Sequence, residues 1–405
     1  MHLLRDRRFA LLVAGQAVNG IGSWCALVAM WGYATYRFEA GPGQVALIGL
    51  AWALPAALLG PIAGVPVDRF GPKRVLVLAD LAAAGVAIAM AFVGTFPSFV
   101  VLGLLHGATK AFASPAFRAL PPRLVDDADL PEANALLSSA MQSSIAFGPL
   151  LAAISIQAYG FRTAFVIDAV TYVIGVAAVL PLRTGSVSRT TRDRRSSPSM
   201  SEEVREGIAV VRSCPQLLTL LALSTSVYLA WGGYAVVEPV YVRDVLHRSA
   251  GTFALLQMTF GCCLLVAGVA VAAWGRGLAR LSALAMIAVC TGLAAGLYIG
   301  TPYVVVAFVG IGGWGVLTGL FVAPSATVLH RMAPVEAHGR VLALDSALQS
   351  WSHVVALGVI GLLAAAVGVQ VAGLVAAFAP CVGGLIVLAR VRGDTRDETD
   401  AAFAA

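Results

Sequence analysis

The chain has 405 residues, 59% of them hydrophobic and 12% charged, with 27 Lys and Arg against 21 Asp and Glu for a net charge of +6. Soluble domains average about 25% charged residues, so this composition excludes an ordinary water-soluble domain and makes the bilayer the natural solvent. The basic balance is then the signature of loops facing anionic lipid and need not imply nucleic acid.

The N-terminal stretch Met1–Arg8 is basic and runs straight into an apolar segment, with no short core and cleavage site, so it reads as the start of an uncleaved helix. Apolar runs of about 20 residues are long enough to cross a hydrocarbon core. Twelve are placed: 9–36, 44–67, 75–95, 98–117, 133–157, 161–181, 215–238, 250–273, 279–299, 302–328, 339–366 and 370–390. With both termini cytoplasmic, 22 of the 27 cations fall in inside segments. Only Arg37, Arg162, Arg243 and Arg248 fall outside, and Lys110 lies within a span. That asymmetry predicts a multi-pass protein of the cell membrane in this orientation. The cysteines Cys25, Cys214, Cys262, Cys263, Cys290 and Cys381 form no C-x-x-C and read as small hydrophobes rather than disulfides or zinc ligands. No cofactor and no metal are expected.

Between spans 2 and 3 the chain reads G-V-P-V-D-R-F-G-P-K-R, Gly64–Arg74. Glycine and proline specify a turn, and Arg69, Lys73 and Arg74 keep it cytoplasmic. Asp68 is an anion among cations and calls for a helix N-terminus or an arginine as its partner. A second polar stretch, 183–214, is rich in Arg, Ser and Thr and reads as a solvated linker. Within it Ser199 and Glu202 have capping-box spacing, and Val204, Ile208 and Val211 recur at helical spacing, which predicts a short helix lying on the membrane surface. Residues 392–405 are charged and read as a disordered tail. Ala113-Ser114-Pro115-Ala116 is echoed by Ala323-Pro324-Ser325-Ala326, with Pro115 and Pro324 standing 209 residues apart. The echo suggests two related halves, 1–182 and 215–391.

The Gly64–Arg74 elbow resembles the signature loop G-x-x-x-D-R-x-G-x-K/R-R of the major facilitator superfamily. Gly64, Asp68, Arg69, Gly71, Lys73 and Arg74 are in register, and Pro66 and Pro72 are departures. The stretch from Ser114 to Pro149, R-V-L-V-L-A-D at Arg74–Asp80, E-V-R-E-G-I at Glu203–Ile208 and G-R-V-L-A-L at Gly339–Leu344 look like the macrolide- and siderophore-exporter branch. The resemblance implies an all-α membrane protein of twelve transmembrane helices in two pseudo-symmetric six-helix bundles. It implies efflux of a small amphipathic compound by alternating access, coupled to proton entry, with the bilayer and protons as partners and a monomer expected. An importer or uniporter on the same fold, and a non-transporting membrane sensor, are the alternatives. It further implies a gate in which Asp68 caps or pairs with the start of span 11 near Gly339 and Arg340, while Arg69 meets Asp126, Asp127 and Asp129.

The family places its central cavity on spans 1, 4, 7 and 10, flanked by 2, 5, 8 and 11. Cavity candidates there are Gln16, Asn19, Trp24, His106, Gln142, Tyr228, Trp231, Trp314, Phe321 and Gln349. Proton-coupling candidates are Glu238, Asp345 and His106, because an ionisable group at membrane depth is costly and tends to face a cavity or a partner. Tyr228, Trp231, Tyr234 and Glu238 fall near one face of span 7. They suit a large amphipathic, cationic substrate, or equally an aromatic belt at the outer interface with Glu238 wet beside Pro239. Asp345, Gln349 and Ser352 form a polar stripe, and Asp345 either takes a proton or hydrogen-bonds a neighbouring helix. His106 sits where antiporters of this type carry an arginine, and an imidazole titrates near neutral pH. Lys110 is read as an ammonium reaching to the cytoplasmic surface. Asp80 and Asp168 are read as helix-to-helix hydrogen-bonding groups. Gly148-Pro149 resembles the antiporter Gly-Pro motif, with Ala152 and Ala153 where further glycines are usual. There is no G-x-x-x-x-G-K-S/T, H-E-x-x-H or G-x-S-x-G, so neither an ATP-driven motor nor an enzyme is expected.

Overall fold

The computed structural model describes residues 2–60, 62–182, 200–274, 277–334 and 337–404; the side chains of His2, Asp127, Pro131, Gln142, Ala272, Trp274, 200–204 and 392–404 lie outside that description. The fold is helical. In chain order the helices are α1 (Arg7–Arg37), α2 (Pro42–Leu59), α3 (Gly64–Phe70), α4 (Pro72–Phe92), α5 (Phe96–Arg118), α6 (Leu130–Tyr159), α7 (Phe161–Val179), α8 (Met200–Ser213), α9 (Pro215–Asp244), α10 (Ala250–Trp274), α11 (Leu281–Ile299), α12 (Val304–Met332), α13 (His338–Val367) and α14 (Val369–Ala404). Twelve of them, all but α3 and α8, are long and apolar enough to cross a membrane. Large apolar side chains such as Leu78, Val305 and Leu362 face outward, the reverse of a water-soluble surface.

Two differences from the sequence reading concern helix ends. The second span stops at Leu59, just before Gly60-Pro61, because proline cannot donate to a continuing helix; Gly64–Phe70 then forms the separate short helix α3 inside the elbow. At the other end of the chain the backbone of α14 remains helical to Ala404, through the stretch read as a disordered tail. The expected linker falls partly on 183–199, outside the described residues, and its remainder forms α8.

The chain divides into two compact units, Met1–Thr191 with Val242–Gly261, and Arg192–Tyr241 with Cys262–Ala405. In the first, α1 lies against α6 and α7, α4 against α5 and α7, and α2 against α5. Small residues make these close crossings possible, since apolar lipid supplies no hydrophobic drive between helices. Gly22 of α1 faces Thr171 of α7, and Gly148 of α6 faces Trp24 of α1; neither glycine leaves space for a β-carbon. One end of the unit is filled by Leu12, Val67, Val75, Leu76, Leu120 and Leu182. The other is an aromatic knot in which Tyr33 meets Phe38, Phe99, Phe161 and Phe165 edge-on. Between them Ala83, Ala84, Ala87, Ala169 and Tyr172 form a thin seam of small residues joining α4 to α7. At the far end of this unit Arg243 pairs with Asp244 at 2.6 Å and donates to the Thr35 and Ala40 carbonyls at the end of α1.

In the second unit α11 packs on α12 and α14, and α8 docks on α13. Leu217, Leu220, Leu223, Leu284, Ala288 and Phe321 belong to its main core. Gly292 is pressed against Ala377 and Cys381 of α14.

Candidate functional site

The elbow is built around Gly71, whose φ of +86° is a conformation that L side chains rarely adopt. Gly71 ends α3, and Pro72 then opens α4 at the position where a missing donor costs nothing. Lys73 follows and turns back on the unit: its Nζ donates to the Leu180 and Leu182 carbonyls, the latter at 2.9 Å. It therefore neutralises the carbonyl-rich end of α7. Asp68, Arg69 and Arg74 are exposed, Gly64 is half-buried, and Arg69 lies over the Phe70 ring at 5.3 Å. In the second unit Arg340 pairs with Glu206 of α8 at 2.9 Å, and Gly207 packs against the Arg340 backbone, while Gly339 beside it is open.

In the first unit the depth of the helices brings charged groups together. The Lys73 bonds put the start of α4 beside the end of α7. At 1.5 Å per residue, Asp80 then lies about 10 Å and Asp168 about 18 Å from that end. Lys110 lies about 12 Å inside the C-terminal end of α5. Asp168 is fully buried and Asp80 is 3% exposed. Lys110 does not reach for a surface. Its Nζ donates to Ser23 Oγ of α1 at 2.8 Å and sits 4.9 Å above the Tyr172 ring of α7. The same ammonium acts electrostatically on both Asp80 and Asp168. Ser23 Oγ is 3.5 Å from Tyr172 Oη, which is 3.4 Å from His106 Nε2; His106 is itself buried, with its other ring nitrogen unpartnered among the described residues. Neither Asp168 oxygen makes a hydrogen bond of good geometry among the described residues, although the Ser23 hydroxyl stands beside it.

The reading of Lys110 as a snorkelling group is thus corrected, because α5 carries it two turns inside the helix end and Ser23 and Tyr172 offer a nearer partner. Asp168 faces the same ammonium as well as the Ser23 hydroxyl of the neighbouring helix α1. The available signal was that Asp80, Lys110 and Asp168 all fall inside apolar spans 3, 4 and 6 and not in the loops between them.

Of the other candidates in this unit, Asn19 is buried against Gly175 of α7, with its carbonyl oxygen unpartnered among the described residues. Gln16 is half-buried, and Trp24 is seated by Gly148. The Gln142 side chain lies outside the described residues.

The second unit separates the stripe read along span 7. Tyr228 and Trp231, both half-buried, lie with ring centroids 6.0 Å apart, and Tyr228 is within electrostatic reach of Asp345 on α13. Asp345 accepts from Gln349 Nε2 at 2.7 Å. Tyr234 turns elsewhere. Its hydroxyl donates to the Ala295 carbonyl of α11 at 2.6 Å, and its ring packs on Trp314 at 4.6 Å. Glu238 lies with it, 3% exposed, so the wet alternative for Glu238 does not hold. Trp314 and Phe321 are both buried within this unit. Tyr228, Trp231, Asp345 and Gln349 form one constellation and Tyr234, Glu238 and Trp314 another. Among the described residues no three His, Cys, Asp or Glu groups are placed to hold a metal ion.

Twelve apolar spans in two helical units, with ionisable groups inside the spans, define a multi-pass membrane protein of the carrier type. The chain belongs to the Major Facilitator Superfamily, whose model matches residues 12–320. It is 25% identical over 393 residues to an uncharacterized transporter of this type from Bacillus subtilis, YfiS, covering 93% of this chain and 91% of that one. It is 27% identical over 275 residues to Macrolide efflux protein A of Streptococcus pyogenes, covering 66% and 67%. Among solved structures, a peptide transporter POT in complex with sulfate superposes with a TM-score of 0.74 at 13% identity, over 95% of this chain and 94% of that one, a likeness of fold.

Proposed function

We propose that the chain exports a small amphipathic compound from the cell by proton antiport, with both termini cytoplasmic and the two halves alternating access to a binding site. The observation that carries this reading is the constellation Tyr228, Trp231, Asp345 and Gln349. Tyr228 stands within electrostatic reach of the Asp345 carboxylate on a neighbouring membrane-spanning helix, and Trp231 lies beside Tyr228. Aromatic faces and a carboxylate together recognise a compound with an apolar body and a positive charge. Similarity to a macrolide efflux protein supports export as the direction. The excess of cations in the loops assigned to the inside supports the orientation.

In this reading the elbow is the gate. Asp68 engages the start of α13 near Gly339 and Arg340 in one state and releases it in the other. The Glu206–Arg340 pair, an exposed ion pair of modest strength, supplies Arg340 with an alternative partner and keeps the exchange reversible. Arg69 serves the same gate from the acidic loop Asp126, Asp127 and Asp129.

The test is drug accumulation in a sensitive bacterial host with and without the gene, using erythromycin and ethidium as probes. Export lowers the steady-state level of at least one probe, and a protonophore restores it. Equal accumulation with and without the gene contradicts export, and lowered accumulation that survives the protonophore contradicts antiport.

A further inference from the structure

The two carboxylates and one ammonium inside the first unit do not match in number. With His106, Tyr172 and Cys25 neutral, Asp80, Asp168 and Lys110 leave one negative charge unbalanced at membrane depth. A surplus charge there is expensive unless something cancels it. Asp168 is fully buried with no hydrogen bond of good geometry to share its charge. Four helices supply the groups around the site: α1 contributes Ser23 and Cys25, α4 contributes Asp80, α5 contributes His106 and Lys110, and α7 contributes Asp168 and Tyr172. Among the described residues, helix α6, packed on α1, brings the hydroxyls of Ser144 and Ser155 to this region. Small residues hold these groups close: Gly22 against Thr171, three residues from Asp168, and the alanine seam between Asp80 and Tyr172.

We propose that Asp80 and Asp168, with Lys110 as their fixed counter-cation, form the site where the transported proton binds. The inference rests on the antiport reading but moves coupling away from Glu238, Asp345 and His106. One proton on a carboxylate oxygen brings the cluster to zero charge; its release leaves two carboxylates sharing the single Lys110 ammonium. Lys110 is held by Ser23 on α1 and by the Tyr172 face on α7, so loss or gain of that proton changes the force between the helices that meet there. Asp168 and Asp80 are proton-binding residues, and Lys110 and Ser23 are positioning residues. The surplus of one charge gives one proton per site per cycle.

The experiment uses the full-length protein, purified and reconstituted, and has two arms. Infrared difference spectra between alkaline and acidic buffer in heavy water read the carbonyl stretch of a carboxylic acid directly and need no substrate. The wild type should show a carboxyl band that Asp168→Asn or Asp80→Asn removes. A band untouched by both variants overturns the proposal.

The second arm follows ethidium, whose permanent charge cannot be trapped by protonation. Asp168→Asn and Asp80→Asn should lose uptake driven by an acidic lumen while keeping ethidium exchange at equal pH. Lys110→Met should shift the pH profile of driven uptake. The charge-free triple variant Lys110→Met, Asp80→Asn and Asp168→Asn should stay folded and exchange without responding to pH, which also covers the case of Asp168→Asn failing to fold. If the single carboxylate variants respond to the gradient as the wild type does, the proton-site proposal is wrong and antiport survives. If the wild type itself ignores the gradient, antiport is wrong, and the infrared arm alone decides whether a proton binds here.

Discussion

The crossing of α1 and α7 beside the buried charges offers a quantitative test of the structure. A β-carbon on Gly22 would lie 1.9 Å from Thr171 Oγ1, 2.8 Å from Thr171 Cβ and 2.9 Å from Thr171 Cγ2. Real side chains do not approach so closely, so Gly22→Ala must push α7 off α1 or rotate Thr171. Overpacking of this kind costs about 1–3 kcal/mol. Rotating Thr171 also breaks its hydroxyl bond to the Asp168 carbonyl, now 2.8 Å, at about 1 kcal/mol. The expected loss is therefore roughly 2–4 kcal/mol. Thr171→Ala in the same chain removes the 1.9 and 2.9 Å contacts but leaves the one at 2.8 Å and does not regain the hydroxyl bond, so recovery should be partial. Thermal unfolding in detergent with a thiol-reactive dye reads this out once the other five cysteines are replaced by serine, because Cys25, one turn along α1, is fully buried until the helices part. Gly85→Ala, with nothing within 4 Å, serves as the contrast and should not destabilise. A Gly22→Ala melting curve matching wild type, or one that Thr171→Ala fails to raise at all, would refute this packing.

Other expectations follow from single contacts. Gly71→Ala forces a side chain into a φ of +86° and should cost about 1–2 kcal/mol, measured by the same melting assay. Lys73→Ala removes the donor to the Leu180 and Leu182 carbonyls and should lower stability by about 1 kcal/mol, whereas a purely topological cation there would leave it unchanged. Tyr234→Phe leaves the Ala295 carbonyl without its donor and should cost about 1–2 kcal/mol, with little effect on ethidium binding if Tyr234 belongs to the α9–α11 packing; Trp231→Ala should weaken binding and leave stability closer to wild type. Asp68→Asn should abolish efflux from cells while the protein still reaches the membrane, and unchanged efflux would count against the gate.

The twelve spans could be read from hydropathy because each is a single long apolar run; the largest errors in their ends are the second, where Gly60-Pro61 breaks it before the elbow, and the seventh, which runs through Pro239 to Asp244. The turn at Gly71 was legible because glycine and proline leave the backbone few choices. What Lys73 does was not, because its partners, Leu180 and Leu182, lie over a hundred residues away. Span 7 shows the limit of periodicity: Tyr228, Trp231, Tyr234 and Glu238 recur near one face, but Tyr234 is drawn to the Ala295 carbonyl, so the stripe splits into two sites. Lys110 was misread because distance to a helix end was the sole criterion. Ser23 and Tyr172, on helices far apart in sequence, decide where the ammonium goes.

The most direct test of the central claim is ethidium flux into proteoliposomes with an acidic lumen, with lumenal pH followed at the same time. Proton-coupled export predicts that ethidium accumulates against its gradient, that the lumen loses acidity faster while it does so, and that protein-free vesicles do neither. Ethidium movement that is indifferent to the pH gradient, or that proceeds without a matching loss of lumenal protons, would contradict the account.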